Sequence, residues 1–454
     1  MFGRVKRIHF IGIGGIGMSG IALVLKNLGF KVTGSDIRAS DSVLMLRRQR
    51  IKVYRGHRPE NIGNADVVVY TSAIGDDNIE LLAARARKIP AIPRAEMLAE
   101  LMRMKVGIAV TGTHGKTTTT SLIGAILEAG GLDPTVVIGG RLMATGENYR
   151  LGESEYMVVE ADESDASFLH LTPAFVVITN IEREHLDFYH DLDEIKSAFM
   201  KFVDRIPFWG SLIINSDHPN NQALISVAKK RMITYALYNS GDLVGYDVNW
   251  SDWSTTFAVS YHGRRLGKIR IPLPGNHNVQ NCLAAIALGL ELGISFAQIK
   301  KGLKDFPGVH RRMEKVGEVR GALFFDDYGH HPTEIAATLA TFRNRFKKNR
   351  IIACFQPHRY TRVYHLINSF ARSFYNADVV LVTEIYPAGE KPIPGISGKV
   401  LAQRLESEHP DVRFVGDVRN LNKVIKGMVK PGDVVITLGA GDITSVARRL
   451  CGMV

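Results

Sequence analysis

The stretch Thr111–Thr120, T-G-T-H-G-K-T-T-T-T, restricts this chain more than any other. An uncharged apolar run, Val106–Val110, leads into it, and Ser121–Leu127 continues it. That order predicts a buried strand, a glycine turn and a helix N-terminus, a unit at home in a parallel α/β sheet. Two glycines let backbone N–H groups turn inward on a phosphate, while Lys116 adds a point charge and Thr117 a hydroxyl for Mg²⁺. The loop is shorter than the usual G-x-x-x-x-G-K-[ST], because Val110 stands where that spacing puts its first glycine. The competing reading is a tight strand-to-helix turn carrying a solvated lysine.

The chain has 454 residues, more than one hydrophobic core usually supports, and about 150 residues per domain predicts three domains. Apolar residues make up 45% and charged residues 22%, which suits folded structure throughout. Cys282, Cys354 and Cys451 form no C-x-x-C pair, so neither a disulfide framework nor a zinc site is expected, and a reducing cytoplasm fits. The net charge of +12 is spread along the chain and is explained by anionic small molecules as well as by nucleic acid. Basic Met1–Arg7 followed by apolar Ile8–Leu25 imitates a signal peptide or a span. Gly12, Gly14, Gly15, Gly17 and Gly20 lie inside that run and would weaken a spanning helix, so a cytoplasmic protein with no membrane span is expected.

Ile8–Ile11 reads as a strand running into Gly12–Gly17, which matches G-x-G-x-x-G, with a helix from about Met18 to Leu28. A strand Lys31–Thr33 then ends at Gly34-Ser35-Asp36, so an acid follows the glycines by about twenty residues; alone, this predicts NAD binding. Val67–Tyr70 is a further strand, and a helix Ala95–Met104 closes the unit. In the second unit Tyr156–Val159 delivers Glu160–Asp165, and Ala174–Ile178 delivers Thr179–Asp187, both at strand ends where ligands of parallel sheets gather. Ser211–Asn215 is another strand. Val244–Ile271 alternates and predicts an antiparallel excursion before the helix within Gly275–Leu292. Beyond Pro307, the runs Leu323–Phe325, Ile351–Phe355, Val379–Thr383 and Val434–Leu438 predict a third parallel α/β unit.

Glu160 is the candidate partner of Thr117 for Mg²⁺, which prefers oxygen ligands. His185, among Glu182, Glu184 and Asp187, is either structural or metal-linked. Asn278 and Asn281 open a helix and either cap it or contact a base. The adjacent His330 and His331 diverge on an extended segment and lack zinc spacing. Arg359 and Arg362 are three apart and can grip a carboxylate or phosphate, or form a solvated face. Arg311-Arg312 can reach phosphates bound on the middle unit.

Taken together these stretches resemble the Mur ligases of bacterial cell-wall synthesis, over nearly the whole chain. The resemblance rests on His9–Met18, Thr111–Thr119, Glu160–Phe168, His277–Asn281, Asp326–Glu334 (D-D-Y-G-H-H-P-T-E), Phe355–Arg362 (F-Q-P-H-R-Y-T-R) and Tyr386–Gly395. It is closest to the branch that joins L-alanine to UDP-N-acetylmuramate with ATP. It implies a three-domain α/β protein: a Rossmann-like domain over 1–104 for the UDP substrate, a central P-loop-type ATPase domain over 105–307 with a parallel sheet plus a small antiparallel part, and a C-terminal Rossmann-like domain over 308–454. The last domain closes over the ATP and amino-acid site, and Val110 becomes a family mark.

The resemblance replaces NAD with uridine diphosphate at Gly14, Gly15, Ile16 and Gly17, with Asp36, His57 and Ser72 as further contacts. It assigns ATP to Gly112, Thr113, His114, Gly115, Lys116, Thr117 and Thr118, adenine to Asn278 and Asn281, and the closing side of the nucleotide site to Arg312, Asp327 and His331. Thr117, Glu160 and His185 form the implied Mg²⁺ region; Lys116, Glu160, His185, Arg312 and Asp327 are the implied catalytic set. Tyr328, His330, His358, Arg359 and Arg362 are implied for L-alanine and the muramoyl carboxylate. One departure is Glu184, where the family often has aspartate before the histidine. Lys196 and Lys201 receive no role as a modified lysine. The rivals are a ligase attaching a recycled peptide to the same nucleotide sugar, an NAD-dependent oxidoreductase that leaves Lys116 unexplained, and a nucleic-acid-dependent ATPase, for which no basic-aromatic stripe exists.

Overall fold

The short apolar runs fold as buried strands, gathered into three sheets in chain order. The computed structural model describes residues 3–71, 73–139, 143, 148–186, 188–251 and 253–453, with the backbone alone at Ile16. The first sheet is wholly parallel and runs Lys52–Arg55, Lys31–Asp36, Arg7–Ile11, Val67–Tyr70, Ala91–Pro93. Its chain order reverses beside Arg7–Ile11, so the first glycine loop opens at the crevice where such sheets bind ligands. Lys31–Asp36 runs on past Thr33, correcting the predicted end. Gly34 permits this, since a Cβ there would lie 2.5 Å from the Ile13 side chain.

In the ten-stranded second sheet Val106–Thr111 lies between Tyr156–Glu160 and Phe175–Ile178, parallel to both. Three carboxyl ends therefore converge: the phosphate loop, the acidic stretch after Glu160, and the segment from Thr179 to His185. Ser211–Asn215 and Met232–Ala236 extend the parallel part. Leu243–Ser251 pairs parallel to Met232–Ala236, and Ser254–Tyr261 and Arg264–Ile271 follow antiparallel, so the predicted excursion continues the same sheet.

The helix Lys116–Ala129 is buried along most of its length. Leu122, Ile123, Ile126 and Leu127 share one core with Val279, Leu283 and Ile286 of Asn276–Glu291. Its threonine run is a poor helix former, and packing overrides propensity. The hydroxyls of Thr120 and Ser121 donate to the carbonyls of Lys116 and Thr117, at 2.9 and 2.7 Å, which satisfies them inside the core.

The third sheet runs Glu314–Val319, Ala322–Asp327, Val434–Leu438, Ile351–Phe355, Val379–Thr383, Val412–Gly416. It is mixed, which corrects the expectation of a parallel unit: Glu314–Val319 pairs antiparallel with Ala322–Asp327. Glu314–Val319 carries charges and only two valines, and Val412–Gly416 is a partly exposed edge, so neither shows as an apolar run. The turn between Leu243–Ser251 and Ser254–Tyr261 brings Trp253 against Phe325, Phe342 and Phe346 of this third unit. Among the described residues no helix is long and apolar enough to cross a membrane.

Candidate active site

The phosphate loop is built on two glycines that no other residue replaces without strain. Gly112 has φ 128° and Gly115 φ 81°, and a Cβ on them would lie 2.2 Å from Thr179 Oγ1 and 2.5 Å from Asn281 Oδ1. Asn180 holds the loop from the neighbouring strand: its carbonyl accepts from Thr113 N–H at 2.9 Å and its Oδ1 from His114 N–H at 2.8 Å. Lys116 Nζ donates to Gly112 O at 2.6 Å and to Glu163 Oε1 at 2.8 Å. Burial opposes its charge, yet Glu163, Asp162 and Glu160 outweigh that and hold the ammonium above its ordinary pKa. Thr117 Oγ1 donates to Glu160 Oε2 at 2.9 Å, and the same oxygen accepts from Gly139 N–H at 2.8 Å. Glu163 is buried, and its Oε2 finds no hydrogen-bond partner among the described residues.

His185 has φ 56°, in the left-handed region, and its Nε2 lies 3.6 Å from Glu163 Oε1. Arg311 (φ 59°), Met313 (φ 49°) and Arg359 (φ 70°) share that uncommon conformation and line the same two cavities, a clustering typical of functional sites. The larger cavity, about 780 Å³, is bounded by Lys116, Thr117, Glu160 and His185 on the middle unit and by Arg312, Tyr328, His330, His358, Arg359 and Arg362 on the third. The smaller, about 290 Å³, is lined by Asn278, Asn281, Tyr235, His277, Asp327 and Thr118. His114, Gly115, Arg312 and Glu334 border both.

The third unit's side chains are held firmly. Asp327 is buried and accepts from Met313 N–H at 2.7 Å and Gly329 N–H at 2.8 Å, so its carboxylate organises the two segments that carry Arg312 and Tyr328. Burial raises its pKa against the pull of Arg312. The Arg311 and Arg312 guanidinium carbons lie 4.9 and 5.2 Å from the Tyr328 ring centroid. His331 caps the helix Pro332–Arg345 through Nδ1 and is held neutral by burial, at a pKa of about 4. Arg362 is buried against Glu184, Nε to Oε1 2.9 Å, which joins the third unit to the middle one. Arg359 stands 3.7 Å from Glu390, and the His358 ring stacks on Tyr386. His330 and His358 are both held neutral, by burial first and then by Arg362.

Neither asparagine expected near a base caps the helix: Asn278 Nδ2 donates to Pro274 O at 2.8 Å, and Asn281 Nδ2 to Asn278 Oδ1 at 3.3 Å. Both are buried on the wall of the smaller cavity. In the first unit Gly14 N–H donates to Asp36 Oδ2 at 2.8 Å, which joins the glycine loop to the next strand. His57 Nδ1 lies 3.0 Å from Ser35 Oγ and 3.3 Å from Glu80 Oε2. Gly15 and Gly17 lie at the start of the helix Ile16–Asn27, while the Ile16 side chain and Ser72 lie outside the described residues. Sequence reasoning gave no role to Glu80, Glu163, Glu182 or Glu334. Glu163 and Glu334 stand within the motifs already singled out; Glu80 carries no signal, since an acid on an amphipathic helix ordinarily faces water.

The description "Mur ligase middle domain" matches residues 110–289, "Mur ligase family, catalytic domain" residues 7–106, and "Mur ligase, glutamate ligase domain" residues 311–441. The chain is similar to the UDP-N-acetylmuramate--L-alanine ligase of Geotalea uraniireducens, 51% identical over 451 residues, 99% of this chain and 98% of the relative. Against the same-named enzyme of Desulfatibacillum aliphaticivorans, identity is 51% over 449 residues, again 99% and 98%. Among solved structures it is similar to the UDP-N-acetylmuramate-alanine ligase of Thermotoga maritima, with TM-score 0.83, 32% identity and 98% of both chains covered. A murein peptide ligase of Psychrobacter arcticus gives TM-score 0.74 at 26% identity, covering 99% of this chain and 98% of that one.

Proposed function

This chain belongs to the Mur ligase family, and we propose that it joins the amine of L-alanine to the lactyl carboxylate of UDP-N-acetylmuramate at the expense of ATP. The observation that carries the reading is the larger cavity, where Lys116 and Thr117 on one wall face Arg312, Tyr328, Arg359 and Arg362 on the other. Transfer of the γ-phosphoryl group to the carboxylate gives an acyl phosphate and ADP. The neutral amine of L-alanine then attacks the acyl carbon, and inorganic phosphate leaves from the tetrahedral intermediate as the amide forms.

Charge is the main obstacle, since two polyphosphates and a carboxylate must meet. Lys116, kept protonated by its carboxylate neighbours, and Arg312 bring fixed positive charge to the phosphates. Arg359 and Arg362 offer donors to the carboxylates of L-alanine and of the muramoyl group. Orientation of bound reactants supplies on the order of 7 to 11 kcal/mol, against about 10²- to 10⁴-fold from a general base, so closure of the third domain matters more than any single base. Oxygen donors at Thr117 and Glu160, 2.9 Å apart on the cavity wall, fit Mg²⁺, and His185 borders the same cavity. When bound, that ion offsets phosphate charge.

The same reading assigns Gly14, Gly15, Gly17, Asp36 and His57 to the UDP moiety and Asn278 and Asn281 to adenine. It divides the chain into residues 1–104, 105–307 and 308–454; the second division falls between the family matches 110–289 and 311–441, while the match over 7–106 runs two residues past the first. ATP and a nucleotide sugar as substrates imply work in the cytoplasm. The test is phosphate release with ATP, UDP-N-acetylmuramate and single amino acids. L-alanine should support the fastest turnover; turnover with a preformed peptide and none with L-alanine would move the chain to the peptide-joining branch.

A further inference from the structure

In the phosphate loop, the side chain of His114 stands between two carboxylates from different domains. Its Nε2 lies 3.2 Å from Glu182 Oε2, on the middle domain, and its Nδ1 3.4 Å from Glu334 Oε1, on the third. All three side chains are largely buried. Each carboxylate also gathers other groups. Glu182 Oε2 accepts from Thr333 Oγ1 of the third domain at 2.7 Å, and Glu182 N–H donates to Thr113 Oγ1 of the phosphate loop at 2.8 Å. Glu334 Oε1 accepts from Arg312 at 3.3 Å, while its Oε2 accepts from the backbone N–H of His330 at 3.1 Å and of His331 at 3.4 Å. Glu334 is thus the point at which the phosphate loop, Arg312 and the Tyr328–His331 segment meet.

Resting on the ligase reading above, we propose that His114, Glu182 and Glu334 form a charged interlock that holds the third domain shut on the phosphate loop. Glu182 and Glu334 are positioning residues in it: they act through His114, Thr333 and Arg312, bringing Arg312 and the Tyr328–His331 segment into register with the nucleotide phosphates. An imidazolium can donate to both carboxylates at once, whereas a neutral ring donates to one, so the protonated ring is the form that ties the domains together. Burial opposes that charge, but Glu334 and Glu182 outweigh it and keep the ring protonated to a pKa of about 9. Because the bonds run between the middle and third domains, their free energy goes into the docking of one on the other rather than into either domain's own core.

The test measures kcat and KM for Glu334→Gln, His114→Gln and the double variant, with the melting temperature of each. Wild-type turnover with L-alanine checks the ligase reading separately, so a failure there is distinguishable from a failure of the interlock. Expected are kcat values about tenfold lower in each single variant with KM for ATP within about threefold, and a double variant no worse than about threefold below the weaker single, since both remove one coupled element. Small-angle scattering should show the compaction induced by a non-hydrolysable ATP analogue in the wild type and its reduction in the variants. Thr333→Val removes one hydroxyl from the same junction without a buried charge change, so it keeps the test valid if a charged variant misfolds; about a threefold fall in kcat at unchanged KM is expected. Unchanged kcat in all variants, losses that multiply in the double variant, or full compaction without Glu334 would overturn the proposal.

Discussion

Trp253→Ala should loosen the third domain without touching any group at the cavity. Trp253 belongs to the middle domain's antiparallel hairpin, yet its ring centroid lies 4.9 Å from Phe325, 5.7 Å from Phe342 and 5.9 Å from Phe346. Phe342 rides the helix Pro332–Arg345, eight residues or roughly 12 Å along from Glu334, so that helix is pinned near both ends to the middle domain. Aromatic pairs contribute about 0.5 to 1.5 kcal/mol each beyond area burial, and truncating a buried Trp costs about 3 to 5 kcal/mol. Trp253 is only partly buried, so the low end, about 3 kcal/mol, applies. If that loss falls on docking, the ratio of closed to open molecules drops by about two orders of magnitude, at 1.4 kcal/mol per factor of ten. Calorimetry should then show the third domain melting roughly 5 to 10 °C earlier, with kcat reduced and UDP-substrate binding to the first domain intact. Trp250→Ala, on the same hairpin but more than a third exposed, is the control and should change neither. A Trp253→Ala protein with the wild-type melting profile and turnover would refute the pivot.

Three shorter predictions follow from the same contacts. Lys116→Ala should abolish phosphoryl transfer while UDP-substrate binding stays largely intact by calorimetric titration; ligase turnover near the parent rate would sink the phosphate-loop assignment. Glu80 is fully buried, and although burial disfavours its charge, His9, Ser35, Asn61 and Arg58 N–H hold its pKa at about 2 against an ordinary 4.5. A lowered carboxylate stabilises above its unfolded pKa and loses that as pH falls through the folded one, so the wild type's advantage over Glu80→Gln, about 3 kcal/mol, should shrink between pH 4.5 and 2, and a constant gap in denaturant titrations would contradict this. Glu184→Ala takes the carboxylate away from the buried Arg362 guanidinium, leaving it with its bonds to His358, and should cost about 3 to 5 kcal/mol, whereas Glu184→Leu with Arg362→Met should recover much of the stability and none of the turnover.

The strands that matter most for the site were readable because they are continuous apolar runs: Val106–Thr111, Phe175–Ile178 and Val434–Leu438 carry no charge. Glu314–Val319 and Val412–Gly416 escaped for the converse reason, since edge strands have charged or exposed side chains and lack that signature. Phosphate-loop chemistry was legible because glycines, lysine and threonine act within one turn of chain. Glu182 and Glu334 are about 150 positions apart, and what gives them a shared function is a histidine from a third segment; no periodicity reports such a meeting.

Sequence alone determined the strand–glycine turn–helix unit at Thr111–Thr120 and the α/β class, because these depend on local backbone freedom and on the periodicity of apolar side chains; the family was legible only in the resemblance of its motifs to those of the Mur ligases. Tertiary structure decided what each charged group faces. Asp36, which its spacing alone assigns to a cofactor ribose, accepts from Gly14 N–H of the first loop, and Lys116 turns back onto Gly112 O and Glu163. Arg362 is tied to Glu184, and His114 stands between two domains. The physical reason is that burial and Coulomb attraction act through space, over a few ångströms, between groups whose separation along the chain carries no information about their distance in the fold.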